Sequence, residues 1–208
     1  MTYHHFSKDL IVLVADKNME FALKGILSRL KDMEMRDIQY DIYVHPERDP
    51  GCFLRCHSFL ISFLKQHAHA LVLLDHEGSG RESQTLKDME KDICKRLSQS
   101  GWEDRADAVV IDPELEMWVW SDSPYVDSIL GWGNRHPTLR EWLQKNKYVQ
   151  TGKIKPERPK EAMEKVLKEV KKPRSSSLYL QIAKTVNLQK CTDRSFIKLR
   201  TALQRWFG

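Results

Sequence analysis

No apolar run in this 208-residue chain approaches the roughly 18 residues a membrane-spanning helix needs. Its first eight residues, Met1 to Lys8, are polar and lack the pattern of a secretory signal. Cysteine is scarce. Cys52, Cys56, Cys94 and Cys191 form no dense framework, so reduced thiols in a cytoplasmic protein are expected. Cys52 and Cys56 are four apart with His57 beside them, but no second ligand pair has zinc-like spacing, which argues against a zinc site. The few glycines make neither a Walker loop nor a dinucleotide-binding fingerprint. No nucleophile-elbow motif supports a hydrolase triad.

The sequence does hold four apolar segments that each end on acidic or imidazole side chains. Asp9–Ala15 runs into Asp16, Gln39–Val44 into His45, His69–Leu74 into Asp75-His76-Glu77, and Ala108–Ile111 into Asp112-Pro113-Glu114. Helical spacing separates them: Phe21, Leu23, Ile26, Leu27 and Leu30, then an apolar stretch from about Cys52 to Gln66, then a charged one from about Glu82 to Ser98. Strands alternating with helices predict an α/β fold with a largely parallel sheet and flanking helices. All four strand ends then share one edge, where open α/β sheets bind ligands.

Charge divides the chain. Residues 1–134 carry 15 basic and 23 acidic side chains, and residues 135–208 carry 19 basic and 6 acidic. The expected organisation is an α/β domain over 1–134 followed by a basic helical region over 135–208. The second part would meet a polyanion or an acidic surface, unless its cations pair with the acids of the first part. In it, Pro137–Lys145 and Lys160–Lys172 read as helices. Ser175-Ser176-Ser177 and Thr192 or Asp193 read as caps of two more.

Four groups at the shared edge could carry chemistry. Asp16 and Glu20 flank a strand-to-helix turn, where Asp16 could equally cap the helix and Glu20 complement its dipole. Asp75 and Glu77 offer hard oxygen ligands suited to Mg²⁺ or Mn²⁺. They are followed by Gly78-Ser79-Gly80, whose N–H groups could approach an anion, and by Arg81, which could neutralise one phosphate oxygen. Asp112, Glu114 and Glu116 precede an aromatic run. His45, Glu47, Arg48 and Asp49 read as a loop of surface ion pairs.

Val14-Ala15-Asp16-Lys17-Asn18-Met19-Glu20, with Asp75-His76-Glu77, resembles the motifs of the topoisomerase–primase (Toprim) domain. The similarity is greatest to its small relatives in bacterial anti-phage defence loci, and the chain also resembles components of methylation-associated defence systems. Pro113-Glu114-Leu115-Glu116-Met117-Trp118 is similar to a Pro-Glu-x-Trp segment of related proteins. Asp16 stands where the family has Glu, and Lys17 where it has Gly. The resemblance covers about residues 9–120. It implies a divalent-metal site acting on phosphodiesters, with Asp16 and Glu20 catalytic and Asp16, Asp75 and Glu77 as ligands of Mg²⁺ or Mn²⁺. Lys171, Lys172 and Arg174 would join Arg81 in contacting a nucleic-acid backbone. The rival expectation is a non-catalytic subunit that keeps the fold and holds a partner protein of a defence complex through its basic helices. A receiver-like domain, with Asp75 as phosphoacceptor, would need a fifth strand followed by Lys.

Overall fold

Strands β1 (Lys8–Val14), β2 (Tyr40–Val44), β3 (His67–Asp75) and β4 (Ala106–Ile111) form one sheet in the order β2-β1-β3-β4, with every neighbouring pair parallel. The computed structural model describes residues 6–121 and 123–208 of the protein. Leu10 to Val14, Ala70 to Leu74 and Ala108 to Ile111 are fully buried. A sheet covered on both faces selects unbroken apolar strands rather than alternating ones, which is why these segments read as runs. Four strands, not five, lie among the described residues, so the lysine of a receiver has no strand to follow.

Helix α1 (Lys17–Leu27) joins β1 to β2, α2 (Arg48–Leu60) joins β2 to β3, and α3 (Leu86–Leu97) joins β3 to β4. Right-handed crossovers put α1 on one face and α2 and α3 on the other, because the chain moves outward to β2 and then back across β1. Six further helices follow, the first five being α4 (Glu116–Val119), α5 (Pro124–Leu130), α6 (Leu139–Lys145), α7 (Pro159–Glu169) and α8 (Ser176–Thr185). The last is α9 (Arg194–Phe207), capped by Asp193, whose side chain accepts from Ser195 and Phe196 N–H. Thr138 and Glu141 form a reciprocal capping box at α6.

The basic helices pack on the sheet domain. Helix α8 lies along α1, and α9 runs against β4. Residues on both sides of position 134 share one hydrophobic core. Much of the charge asymmetry is resolved inside the fold, where Arg194 and Lys198 pair with Glu90, Lys198 and Arg205 with Asp107, Lys160 with Glu114, and Arg174 with Glu116.

The α1–α8 contact depends on Gly25. A Cβ there would stand 2.6 Å from Ala183 Cβ and 3.0 Å from Leu180 O. Gly25→Ala is therefore expected to push the helices apart and lower stability by about 1–3 kcal/mol, although alanine favours helix. A thermal melt matching or exceeding that of the native chain would show that α8 yields freely.

Candidate functional site

The strand order reverses between β1 and β3: the chain leaves β1 toward β2 on one side, and β3 lies on the other. This switch point is where doubly wound sheets open a crevice at the carboxyl ends of their strands. Asp75 is the last residue of β3, and Asp16 follows β1 after Ala15. Asp16 also caps α1, its Oδ1 accepting the Met19 N–H at 2.9 Å. One residue thus satisfies a helix end and contributes charge to the crevice.

Asp75 is half-buried at the carboxyl end of β3. Its Oδ1 is buried and has no hydrogen-bond partner. Its backbone N–H donates to Asp49 Oδ1 at 2.7 Å. Burial pushes the Asp75 carboxyl well above the ordinary carboxylate range, and the carboxylates of Asp49, Glu116, Asp16 and Glu114 push it further. Asp49 is shifted upward too, first by burial and also by Asp16, against the bond it accepts from Asp75.

Asp49 reaches the crevice through the β2–α2 turn. His45 N–H donates to Val14 O at 2.8 Å, extending the β1–β2 ladder by one rung. The buried His45 ring accepts the Glu47 N–H on Nδ1 at 3.1 Å, and a Cβ on Gly51 would overlap that ring. Arg48 then takes φ +52°, a left-handed conformation uncommon for a residue with a Cβ. Asp49, Pro50 and Gly51 form the first turn of α2, where proline's missing N–H costs nothing.

Past β4, Glu114 and Glu116 are buried rather than lying on the surface at a helix start. Glu116 Oε1 accepts Arg174 Nη2 at 2.5 Å and the Tyr179 hydroxyl, and Arg174 also donates to Tyr179 Oη at 2.9 Å and Glu164 Oε1 at 2.7 Å. Glu114 accepts the Lys160 N–H at 3.0 Å and Lys160 Nζ at 3.2 Å, closing the first turn of α7. These contacts dock α7 and α8 beside the crevice. Burial, with Glu116 adding, raises the Tyr179 hydroxyl far above its ordinary pKa.

Asp16 and Asp75 therefore share the crevice, whereas Glu20 and Glu77 are placed differently. Glu20 is held by Lys17 and Lys24, each at 2.6 Å. Burial opposes its charge, but the two ammonium groups prevail and keep its carboxyl below the usual range. Glu77 is exposed, its N–H donating to Pro113 O at 3.0 Å. The Gly78 and Gly80 N–H groups are engaged by an anion of the chain's own, Glu82 Oε1, at 2.9 and 3.2 Å. Arg81 is exposed, with its guanidinium 5.6 Å from the Phe53 ring centroid. Lys171 is exposed, but Lys172 Nζ donates to Ile129 O at 2.6 Å, and Arg174 is engaged as described. Reading Asp49 as a surface ion-pair residue concealed its place; Pro50 at an N-terminal helical position was the signal.

Among the described residues, no three His, Cys, Asp or Glu side chains are drawn into a ready-made metal cage. Mg²⁺ seldom uses such a cage. It keeps several waters and takes one or two carboxylates together with substrate phosphates. Asp16 and Asp75 supply hard oxygens of the right kind, and the unbonded Asp75 Oδ1 is an acceptor lacking a partner, so the donor chemistry fits. Among the described residues no helix is long and apolar enough to cross a membrane. No protein-family model, no curated protein and no solved structure matches this chain.

Proposed function

We propose that the crevice is the site of divalent-cation-dependent phosphodiester chemistry, with Asp16 and Asp75 holding Mg²⁺ or Mn²⁺. The observation that carries this reading is the buried, unbonded Oδ1 of Asp75 beside other carboxylates at the topological switch point. When bound, the cation neutralises charge developing on a phosphate. The chain's own contribution is positional. Capping α1 fixes Asp16, the end of β3 fixes Asp75, and burial keeps bulk water from competing for its oxygen. Glu20, engaged by two lysines, is left with no proton-transfer role. Arg81 and Lys171 are the exposed cations available to a nucleic-acid backbone, a sequence-independent and salt-sensitive contact. Lys172 and Arg174 serve the fold. The resemblance that suggests this chemistry also suggests its setting, a bacterial anti-phage defence locus with partner proteins.

The test is cleavage of single- and double-stranded DNA and RNA by the purified protein with Mn²⁺. The native chain should cut, chelator should stop it, and Asp75→Asn should abolish it. Equal cleavage by native and Asp75→Asn protein would refute the assignment. A second reading, a non-catalytic subunit holding a defence partner, is favoured by the internal neutralisation of Glu114 and Glu116 and by Lys17 in place of the family's glycine. It predicts neither cleavage nor cation binding.

A further inference from the structure

We infer that the cavity enclosed by α1, α4, α5 and α8 binds a small apolar molecule carrying one anionic group, with Lys190 as the cation for that group. The inference is independent of the reading of the crevice, since none of Asp16, Asp49 and Asp75 lines this cavity.

Size and lining carry the first half. The cavity measures about 790 Å³, within the roughly 300–1,000 Å³ of small-molecule sites. Ala22 and Ile26 come from α1, Val119 from α4, and Ile182 and Ala183 from α8. The aromatic polar atoms of this wall are engaged elsewhere. Trp118 Nε1 donates to Ser195 Oγ at 2.8 Å, and the Tyr179 hydroxyl donates to Glu116. What remains for an occupant is hydrocarbon and aromatic surface, which gains by meeting apolar groups in place of water. Ser121 also lines the cavity, and its Oγ is buried without a hydrogen-bond partner, so a turn about χ1 offers one hydroxyl to an occupant.

Charge carries the second half. Thr185, Asn187, Gln189 and Lys190 are exposed lining residues and mark the mouth. Arg29 and Asp32 line it too, but they neutralise each other: Arg29 Nε donates to Asp32 Oδ2 at 2.7 Å, and its Nη1 donates to Ala183 O and Val186 O at 2.9 and 2.7 Å. Asn187 Oδ1 accepts the Gln189 and Lys190 N–H groups at 3.0 and 3.3 Å, which fixes the turn Leu188–Lys190. The Lys190 ammonium makes no ion pair among the described residues. The uncompensated charge of the lining is therefore positive, and an apolar body bearing one carboxylate or sulfonate matches both the wall and the mouth.

Two dyes that brighten in apolar surroundings serve as probes: anilinonaphthalene sulfonate, which carries an anionic group, and phenylnaphthylamine, which is neutral. Fluorescence titration of the full chain should show saturable binding of both. Ala22→Leu puts a good helix former on α1 and fills the cavity, so both dyes should bind at least about tenfold more weakly. Lys190→Gln removes the cation from an exposed position. It should weaken the sulfonate dye about threefold, as expected of an exposed ion pair, and leave the neutral dye unchanged. Thermal melts report folding. Should Ala22→Leu melt lower than the native chain, Tyr125→Ser decides instead, because Tyr125 lines the cavity yet is 55% exposed, and it must weaken both dyes. No binding of either dye by the native protein overturns the site. Binding undiminished in the cavity variants places the dyes elsewhere and overturns it equally. Equal effects of Lys190→Gln on the two dyes overturn the anionic occupant.

Discussion

Without cation, Asp75→Asn should melt higher than the native protein. At neutral pH the native chain must either keep Asp75 ionised among four other carboxylates or hold it protonated above its ordinary range. Both cost folding free energy. Asparagine removes the charge at nearly constant shape. Relief of this kind is typically about 1–2 kcal/mol, or roughly 3–6 °C for a chain of this length.

The pH dependence follows from the direction of the shift. A carboxyl raised in the folded state binds a proton more tightly there than in the unfolded chain. Its penalty is absent below the unfolded value and grows as pH climbs through the folded one. The native protein should therefore gain stability as pH falls from neutrality toward about 5, with Asp49 acting in the same direction. Below that window the trend reverses, because Asp9, Asp41 and Asp193 are held low by their partners and lose stabilising bonds once protonated. Asp75→Asn should flatten the gain near neutrality and leave the acid limb intact. Melts across this range decide the matter. Parallel profiles for the two proteins would mean that Asp75 carries no penalty. Adding Mn²⁺ should reverse the order, since ligand binding stabilises only the chain that binds it.

The sheet was legible because its strands are buried on both faces. Val12, Leu73 and Val109 sit in runs that no amphipathic helix would show, and the end of each run marked the sheet edge where Asp16 and Asp75 stand. Helix ends fixed by local chemistry were also legible: Asp193 caps α9, Thr138 begins α6, and Ser175 precedes α8. The errors came where a residue has two readings. His45 to Gly51 carries proline, glycine and charge and reads as a turn, yet α2 starts at Arg48, and that four-residue difference separates Asp49 on the surface from Asp49 bonded to Asp75. Likewise, Glu82 looks like the start of the charged helix, but its carboxylate folds back on Gly78 and Gly80, and Thr85 caps α3 instead. Glu114 and Glu116 could not be recognised as buried, because the cations that meet them, Lys160 and Arg174, lie some fifty residues away. Pairing over that distance is set by how α7 and α8 dock, which short-range patterns do not contain. For the same reason, net charge suggested a polyanion-binding region where the structure pairs many cations internally.

Glu90 is the clearest of these long-range pairings, and removing it should cost the most. It sits on α3, nearly fully buried. Its Oε1 accepts the Val110 N–H at 3.1 Å, a donor for which the outer strand β4 has no further strand. The same carboxylate receives Arg194 Nη2 at 2.8 Å and Lys198 Nζ at 2.9 Å, both from α9. One side chain thus closes the free edge of the sheet and anchors the last helix. Glu90→Ala deletes these bonds, opens space under α9, takes from Arg194 its carboxylate, and leaves Lys198 to share Asp107 with Arg205. Arg194 and Lys198 are partly exposed, so the loss falls mainly on the unsatisfied Val110 N–H and the packing, about 1–3 kcal/mol, and the melting temperature should fall by roughly 5 °C. Glu90→Gln keeps an acceptor for the Val110 N–H and most of the volume, and should lose less. High salt should not close the gap, because the Val110 N–H bond and the packing under α9 are not screened. Melts of both variants in low and high salt provide the measurement. A Glu90→Ala protein as stable as the native chain, or a deficit that vanishes with salt, would show that α9 is held by the packing of Phe196, Leu199 and Leu203 alone and that the buried charges contribute nothing.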